Sequence, residues 1–152
     1  MKPFVDIAQL WVDDRGSVYC PFDHNGDGDV GEVKRTYVVH NWQKGRIRAW
    51  HGHEHGWTGL HVIHGAAKIV AVKMAQDNEF CPEFGSFSCV LSDKNPGILW
   101  VPPGWYNGHM SLEDNTKILV YSTHTFEEVK EDDIRCVLDS SHIRQFFEVA
   151  DR

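Results

Sequence analysis

Turn signals recur along this chain at short intervals, and between them lie brief runs whose apolar residues alternate or run together. Helix bundles and parallel α/β sheets need longer amphipathic stretches of period 3.6, so this rhythm points to an all-β chain. VDIAQLWV, a turn at Asp13–Gly16 and SVYCPF read as a hairpin. VKRTYVVHNW alternates as a strand does and feeds a short QKG turn, while AAKIVAVKM is mostly apolar and reads as a strand buried on both faces. FSCVLS, ILWVPP, GWYNGHMSL and TKILVYSTHTF continue the series, with AQDNEFCPEFG as a loop and DKNPG as a turn. Pro102 and Pro103 confine their position to a strand end or edge. After a charged segment, EEVKEDDIR, the run SSHIRQFFEVADR predicts a short C-terminal helix. Ser140 or Ser141 would cap it, and Ile143, Phe146 and Phe147 would form its apolar side. Many short strands with frequent turns close into a jelly-roll barrel, here one domain over residues 1–152.

Charge and cysteine usage narrow the partners. A formal net charge of −7 argues against nucleic acid or an anionic membrane surface. No apolar run approaches the roughly twenty residues of a membrane-spanning helix, and the polar start MKPFVDIAQ lacks the apolar core of a signal peptide. The four cysteines are scattered without a CxxC pair, as expected of reduced thiols in a cytoplasmic protein. DHNGDGDVGE invites a calcium reading, because Asp23, Asn25, Asp27 and Gly28 fit the start of an EF-hand loop. Lys34 stands where that loop needs its bidentate glutamate, so a plain connection between strands is the expectation.

The chemistry concentrates between Gly45 and Gly65, which hold His51, His53, His55, His61 and His64, half of the chain's 10 histidines, with Arg46 and Arg48 just ahead. In an extended strand His51, His53 and His55 share one face. Converging imidazoles bind a metal or move protons near neutral pH. Surface or satisfied core histidines are the plainer reading, but such density beside two arginines weighs against it.

Spacing adds to this. A glycine, five residues and His-x-His open the first motif of the cupin β-barrels, and Gly45, His51 and His53 fit it, with Gly65 as the closing glycine. The motif's glutamate is missing, since Trp57 and Thr58 hold its positions. The second motif resembles GILWVPPGWYNGHMS, with Pro102 and Gly104 in place and Asn107 where the ligand histidine belongs. The resemblance implies a double-stranded β-helix whose metal site is dismantled. His109 is a possible third nitrogen, yet two histidines and an uncertain third fall short of a zinc site. No metal and no cofactor is therefore the expectation.

Longer stretches resemble the nucleotide-sugar epimerases and isomerases built on such a barrel. In the dTDP-4-dehydrorhamnose 3,5-epimerases, a DxRG-type turn, RxxH, SPTFGxW and IPxGFxHGF are similar to Asp13–Gly16, Arg48–His51, CPEFGSF and VPPGWYNGH. In the shorter dTDP-sugar 3,4-ketoisomerases, DSRGSL, IKRxYxI, RGxHAH and DYIR are similar to DDRGSV, VKRTYVV, RAWHGH and DDIR. The resemblance implies a homodimer whose partner is a nucleotide-diphosphate sugar. His51 falls on the epimerases' catalytic base, and His53 on the second histidine of the ketoisomerase pair. Arg15 and Arg48 fall on arginines that hold the diphosphate and the sugar. The tyrosine acid of the epimerases falls on Val120, with Tyr121 next to it, and only a bulge would bring Tyr121 to the same face. The aspartate that orients the epimerase base comes from a C-terminal region with no counterpart here.

A 4-keto group acidifies the C–H bonds beside it, because the carbanion delocalises onto oxygen. An imidazole suits the proton abstraction, and cations or donors suit the enolate. His51 is the candidate base; His53, Tyr106 or His109 would stabilise the oxyanion or return the proton, beside Asn107. Arg15 and Arg48 would pair with phosphates, and Trp57 or Tyr37 would stack on the base. Trp42, Trp50 and Trp100 read as core, Trp57 and Trp105 as a pocket mouth. The expected activity is 3- or 3,5-epimerisation of a dTDP-4-keto-6-deoxyhexose. The 3,4-ketoisomerisation stands second, ahead of a non-catalytic sugar- or nucleotide-binding barrel and a metal-dependent enzyme.

Overall fold

Which way successive side chains point decides how the short strands of two sheets share one interior. The computed structural model describes residues 1–23 and 29–150. Its strands are β1 (Phe4–Ile7), β2 (Leu10–Asp13), β3 (Gly16–Tyr19), β4 (Arg35–Asn41), β5 (Ile47–His53) and β6 (Thr58–His64). They continue as β7 (Ala66–Lys73), β8 (Ser86–Ser92), β9 (Gly97–Val101), β10 (Trp105–Ser111), β11 (Thr116–Ser122) and β12 (Ile134–Arg135). Two short helices, α1 (Phe126–Lys130) and α2 (Ser140–Gln145), flank β12.

The strands form two five-stranded antiparallel sheets, ordered β1-β9-β6-β11-β4 and β12-β5-β10-β7-β8, with β2 and β3 as a separate hairpin. Leu60, Val62, Ile69, Leu99, Ile118 and Val120 face inward and fill the space between the sheets. Such side chains contribute about 1.5–3 kcal/mol each on full burial. The outer faces are covered too, which explains why β7 and β9 carry so few polar residues. Phe22, Val30 and Val33 lie over Trp57, Trp100 and Tyr121 outside the first sheet. Ile143, Phe146 and Phe147 cover Trp50 and Tyr106 outside the second. His61 belongs to this outer layer, where its ring nitrogens meet the Tyr19 hydroxyl at 3.2 Å and the Gly97 carbonyl at 2.8 Å.

Several expectations change in detail. VDIAQLWV is two strands, β1 pairing with β9 and β2 with β3. The histidine-rich stretch folds as β5 and β6 in different sheets, so His61 and His64 do not share a wall with His51. Its closing Gly65 turns with φ +76, and a Cβ there would meet Thr116 Oγ1 at 2.7 Å. EEVKEDDIR supplies α1, opened by a capping box between Thr125 and Glu128, and then β12. The cap of α2 is Asp139, not a serine, because its carboxylate accepts from the backbone of both Ser141 and His142. Trp42 is 74 % exposed, while Trp57 and Trp105 are packed in the interior layers. Asn25, Asp27 and Gly28 of the calcium reading lie outside the described residues; Lys34 pairs with Glu128 at 2.8 Å. No helix among the described residues is long and apolar enough to cross a membrane.

Candidate active site

The two sheets part along the β4 edge of one and the β5–β12 edge of the other, leaving a lumen of about 450 Å³. On the β5 wall stand Arg48, His51 and His53, with Asn107 and His109 from β10 beside them. Strand alternation alone would put residues 48 and 51 on opposite faces. A β-bulge restores them to one: Asn107 pairs with His51 and His109 with Arg48, so three steps on β5 answer two on β10. Gly108 occupies that step, and a Cβ there would sit 2.5 Å from the Ala49 Cβ.

His53 is held in one orientation. Its Nδ1 lies 2.5 Å from the Asp132 carbonyl oxygen, which can only accept. The proton of neutral His53 is therefore on Nδ1, and Nε2 keeps its lone pair. The Asp132 carboxylate accepts from the backbone N–H of Glu54 at 2.7 Å and of His55 at 3.0 Å, and from His124 Nε2 at 2.8 Å. Burial alone would raise that carboxyl; these donors outweigh it and hold it below the usual range. Around His51, burial first and the Arg135 charge second push the imidazole down, against a smaller upward pull from Asp133. Arg135 pairs with His51 across β12 and β5 and holds Asp133 at 3.0 Å. His51 is thus neutral and able to accept a proton near pH 7. His109 is 6 % exposed, pushed down to about 4 by burial and then by Arg48. Its Nε2 has no hydrogen-bond partner among the described residues. Asn107 donates through Nδ2 to the His51 carbonyl at 3.0 Å.

The facing wall is different. Val39, Leu60 and Val120 make it aliphatic, with Tyr37 beyond them. Arg35 lies at the mouth, its guanidinium carbon 5.1 Å from the Tyr37 ring centre and 5.8 Å from that of Phe126. Its Nε is buried without a hydrogen-bond partner among the described residues. Among the described residues of the lining, Arg35, Arg48, Lys130 and Arg135 set four cations against the one carboxylate of Asp133. Such a ring suits a ligand of more than one negative charge.

Four residues expected in the site lie elsewhere. Tyr121 points outward and packs on Phe22 and Trp100, because β11 pairs with β4 without a break from Thr116 to Ser122 and no bulge shifts it inward. Trp57, 6 % exposed, belongs to that same outer layer. Tyr106 faces the opposite side of its sheet from Asn107, and its hydroxyl donates to the Asn78 carbonyl at 2.7 Å. Arg15 sits at the tip of the β2–β3 hairpin, its side chain 85 % exposed and bound to Asp13. Asp132, Asp133, Arg135 and Arg35 were not singled out as site residues by sequence reasoning. The similarity of DDIR and VKRTYVV to ketoisomerase motifs was the signal that could have found them. Among the described residues, no group of three His, Cys, Asp or Glu side chains is placed to hold a metal ion.

A jelly-roll barrel with paired histidines on one wall and a cationic mouth is the architecture of a cupin. The chain belongs to the dTDP-4-dehydrorhamnose 3,5-epimerase family, whose sequence model matches residues 5–149. Solved structures agree on the fold. The dTDP-4-dehydrorhamnose 3,5-epimerase of Bacillus anthracis, solved with TDP and PPi bound, has TM-score 0.75 at 19% identity, over 92% of this chain and 81% of that one. The rmlC epimerase of Mycobacterium tuberculosis gives 0.74 at 17% identity, over 88% and 68%. A 3'-monoepimerase from Streptomyces bikiniensis, solved with dTDP-quinovose, gives 0.69 at 14% identity, over 82% and 65%. Comparison with curated proteins gives no match.

Proposed function

We propose that this chain epimerises a dTDP-4-keto-6-deoxyhexose at C3, or at C3 and C5, by removing the proton beside the ketone. The observation that carries this reading is a neutral His51 on one wall of a lumen ringed by Arg35, Arg48, Lys130 and Arg135. His51 takes the C–H proton, and the electron pair moves onto the ketone oxygen as an enolate. Arg48, steadied by a 2.9 Å bond from its Nε to Asn41, and the Asn107 amide stand on the same wall to balance that charge. Arg35 and Lys130 at the mouth hold the diphosphate. His53, His109 and Asn107 complete the polar wall, and no step is routed through a metal.

Arg15 enters through a second copy. Its hairpin exposes Trp11, Val12 and Val18, an apolar surface suited to a homodimer contact, from which Arg15 serves the partner's lumen. The free cysteines fit a cytoplasmic enzyme.

Incubation with dTDP-4-keto-6-deoxyglucose in deuterium oxide tests the reading. Deuterium at C3 or C5 with inverted configuration is the expected result, and His51→Asn should slow it by about 10²–10⁴-fold. A wild-type protein that neither exchanges nor inverts overturns it. The aliphatic wall at Val39, Leu60 and Val120 favours a second reading, 3,4-ketoisomerisation on the histidine face alone, and a 3-keto product would select it.

A further inference from the structure

Inversion at carbon needs a proton delivered from the side opposite the base, and Val120, where the family resemblance implies a tyrosine, has none to give. Its neighbour does. β11 and β4 pair so that Val120 stands directly across from Tyr37, and both line the lumen on the wall facing His51. Directly paired residues of an antiparallel ladder share a face, with Cβ atoms about 4.5–5.5 Å apart. A phenol on β4 thus stands on the same wall as the β11 position where the resemblance implies one.

We propose that Tyr37 is the acid that reprotonates the enolate, resting on the epimerase reading above. His51 removes the C3 proton; the C–H electron pair becomes the enolate. The Tyr37 O–H then donates its proton to C3 from the other face, and the enolate electrons return to form the new C–H bond. The phenolate regains a proton from solvent and the imidazolium releases one, so the cycle closes without a redox partner. Arg35 lies against the same ring, where its charge stabilises the transient phenolate. With 43 % of its surface open, Tyr37 can exchange protons with water at the mouth. Burial nonetheless pushes the phenol up, against Arg35, so it is protonated and ready to donate at neutral pH. Among the charges of the described residues, Arg35 pulls the phenol down and Asp133 pushes it up.

The test uses the full chain in deuterium oxide with dTDP-4-keto-6-deoxyglucose, following exchange and configuration at C3 separately by NMR. Tyr37→Phe should still wash deuterium into the unchanged sugar, because His51 can take and return a proton on one face. Its inversion rate should fall by about 10²–10⁴-fold. Val120→Tyr placed in that background should recover inversion by returning a phenol to the same wall. Inversion by Tyr37→Phe within a few-fold of wild type overturns the proposal. So does loss of exchange and inversion together in a variant that still binds dTDP. A wild type inert to both sinks the epimerase reading instead, which keeps the two failures apart.

Discussion

His51 owes its readiness first to burial and then to two neighbouring charges, Arg135 on β12 and Asp133 just before it. Arg135 presses its pKa down and Asp133 pulls it up, so substitutions there should move the acid limb of kcat/KM in opposite directions. Arg135→Gln removes a cation, raises His51 and shifts the limb to higher pH; Asp133→Asn shifts it lower. Equal shifts in one direction would show that the limb does not report His51. His109 has a consequence for stability. In the unfolded chain it titrates near 6.5, and in the fold at about 4. The unfolded chain thus gains the proton first, and stability falls as pH drops from about 6.5 to about 4. At about 1.4 kcal/mol per pKa unit, the loss approaches 3 kcal/mol. Chemical denaturation across that range should show it, and His109→Gln should flatten the slope.

At the scale of elements, the bulge between β5 and β10 turns Arg48 and His51 to one side, and Gly108 is what lets the strands come that close. Gly108→Ala should destabilise the fold by about 1–3 kcal/mol through overpacking against Ala49. It should also raise KM by displacing Arg48, readable by thermal melting and steady-state kinetics. The bulge also shows what a sequence can and cannot disclose. The strands, the barrel and the pairing of His51 with His53 were legible, since they depend on period-two alternation and on local spacing. The inward turn of Arg48 was legible only through family resemblance, because its cause lies in register against a strand far along the chain. Tyr121 and Tyr106 failed for the same reason: one step of parity decides which layer a tyrosine enters, and nothing local fixes that step. Trp57, flanked by glycine, resembled a pocket residue until Phe4 and the outer layer enclosed it. Asp132 was hidden in a charged run that composition presents as solvated surface.

For the whole molecule, the proposed role of Arg15 predicts that activity is a property of two chains. Arg15→Ala alone should raise KM by roughly 10–100-fold, the worth of a charge-assisted phosphate contact. Mixed with His51→Asn after unfolding and reassembly, it should recover up to about a quarter of wild-type activity, because hybrid dimers keep one intact site. Absence of recovery, with dimers demonstrated by sedimentation, would return Arg15 to its own chain. The Asp132 junction carries a last implication. One carboxylate ties the end of β5 to the segment that both walls the lumen and fixes the His53 ring. Variation that widens the entrance for a bulkier sugar must loosen that knot, and with it the aim of an imidazole. Breadth of substrate and speed of turnover are thereby set against each other in the same handful of residues, and selection for one should be visible as erosion of the other.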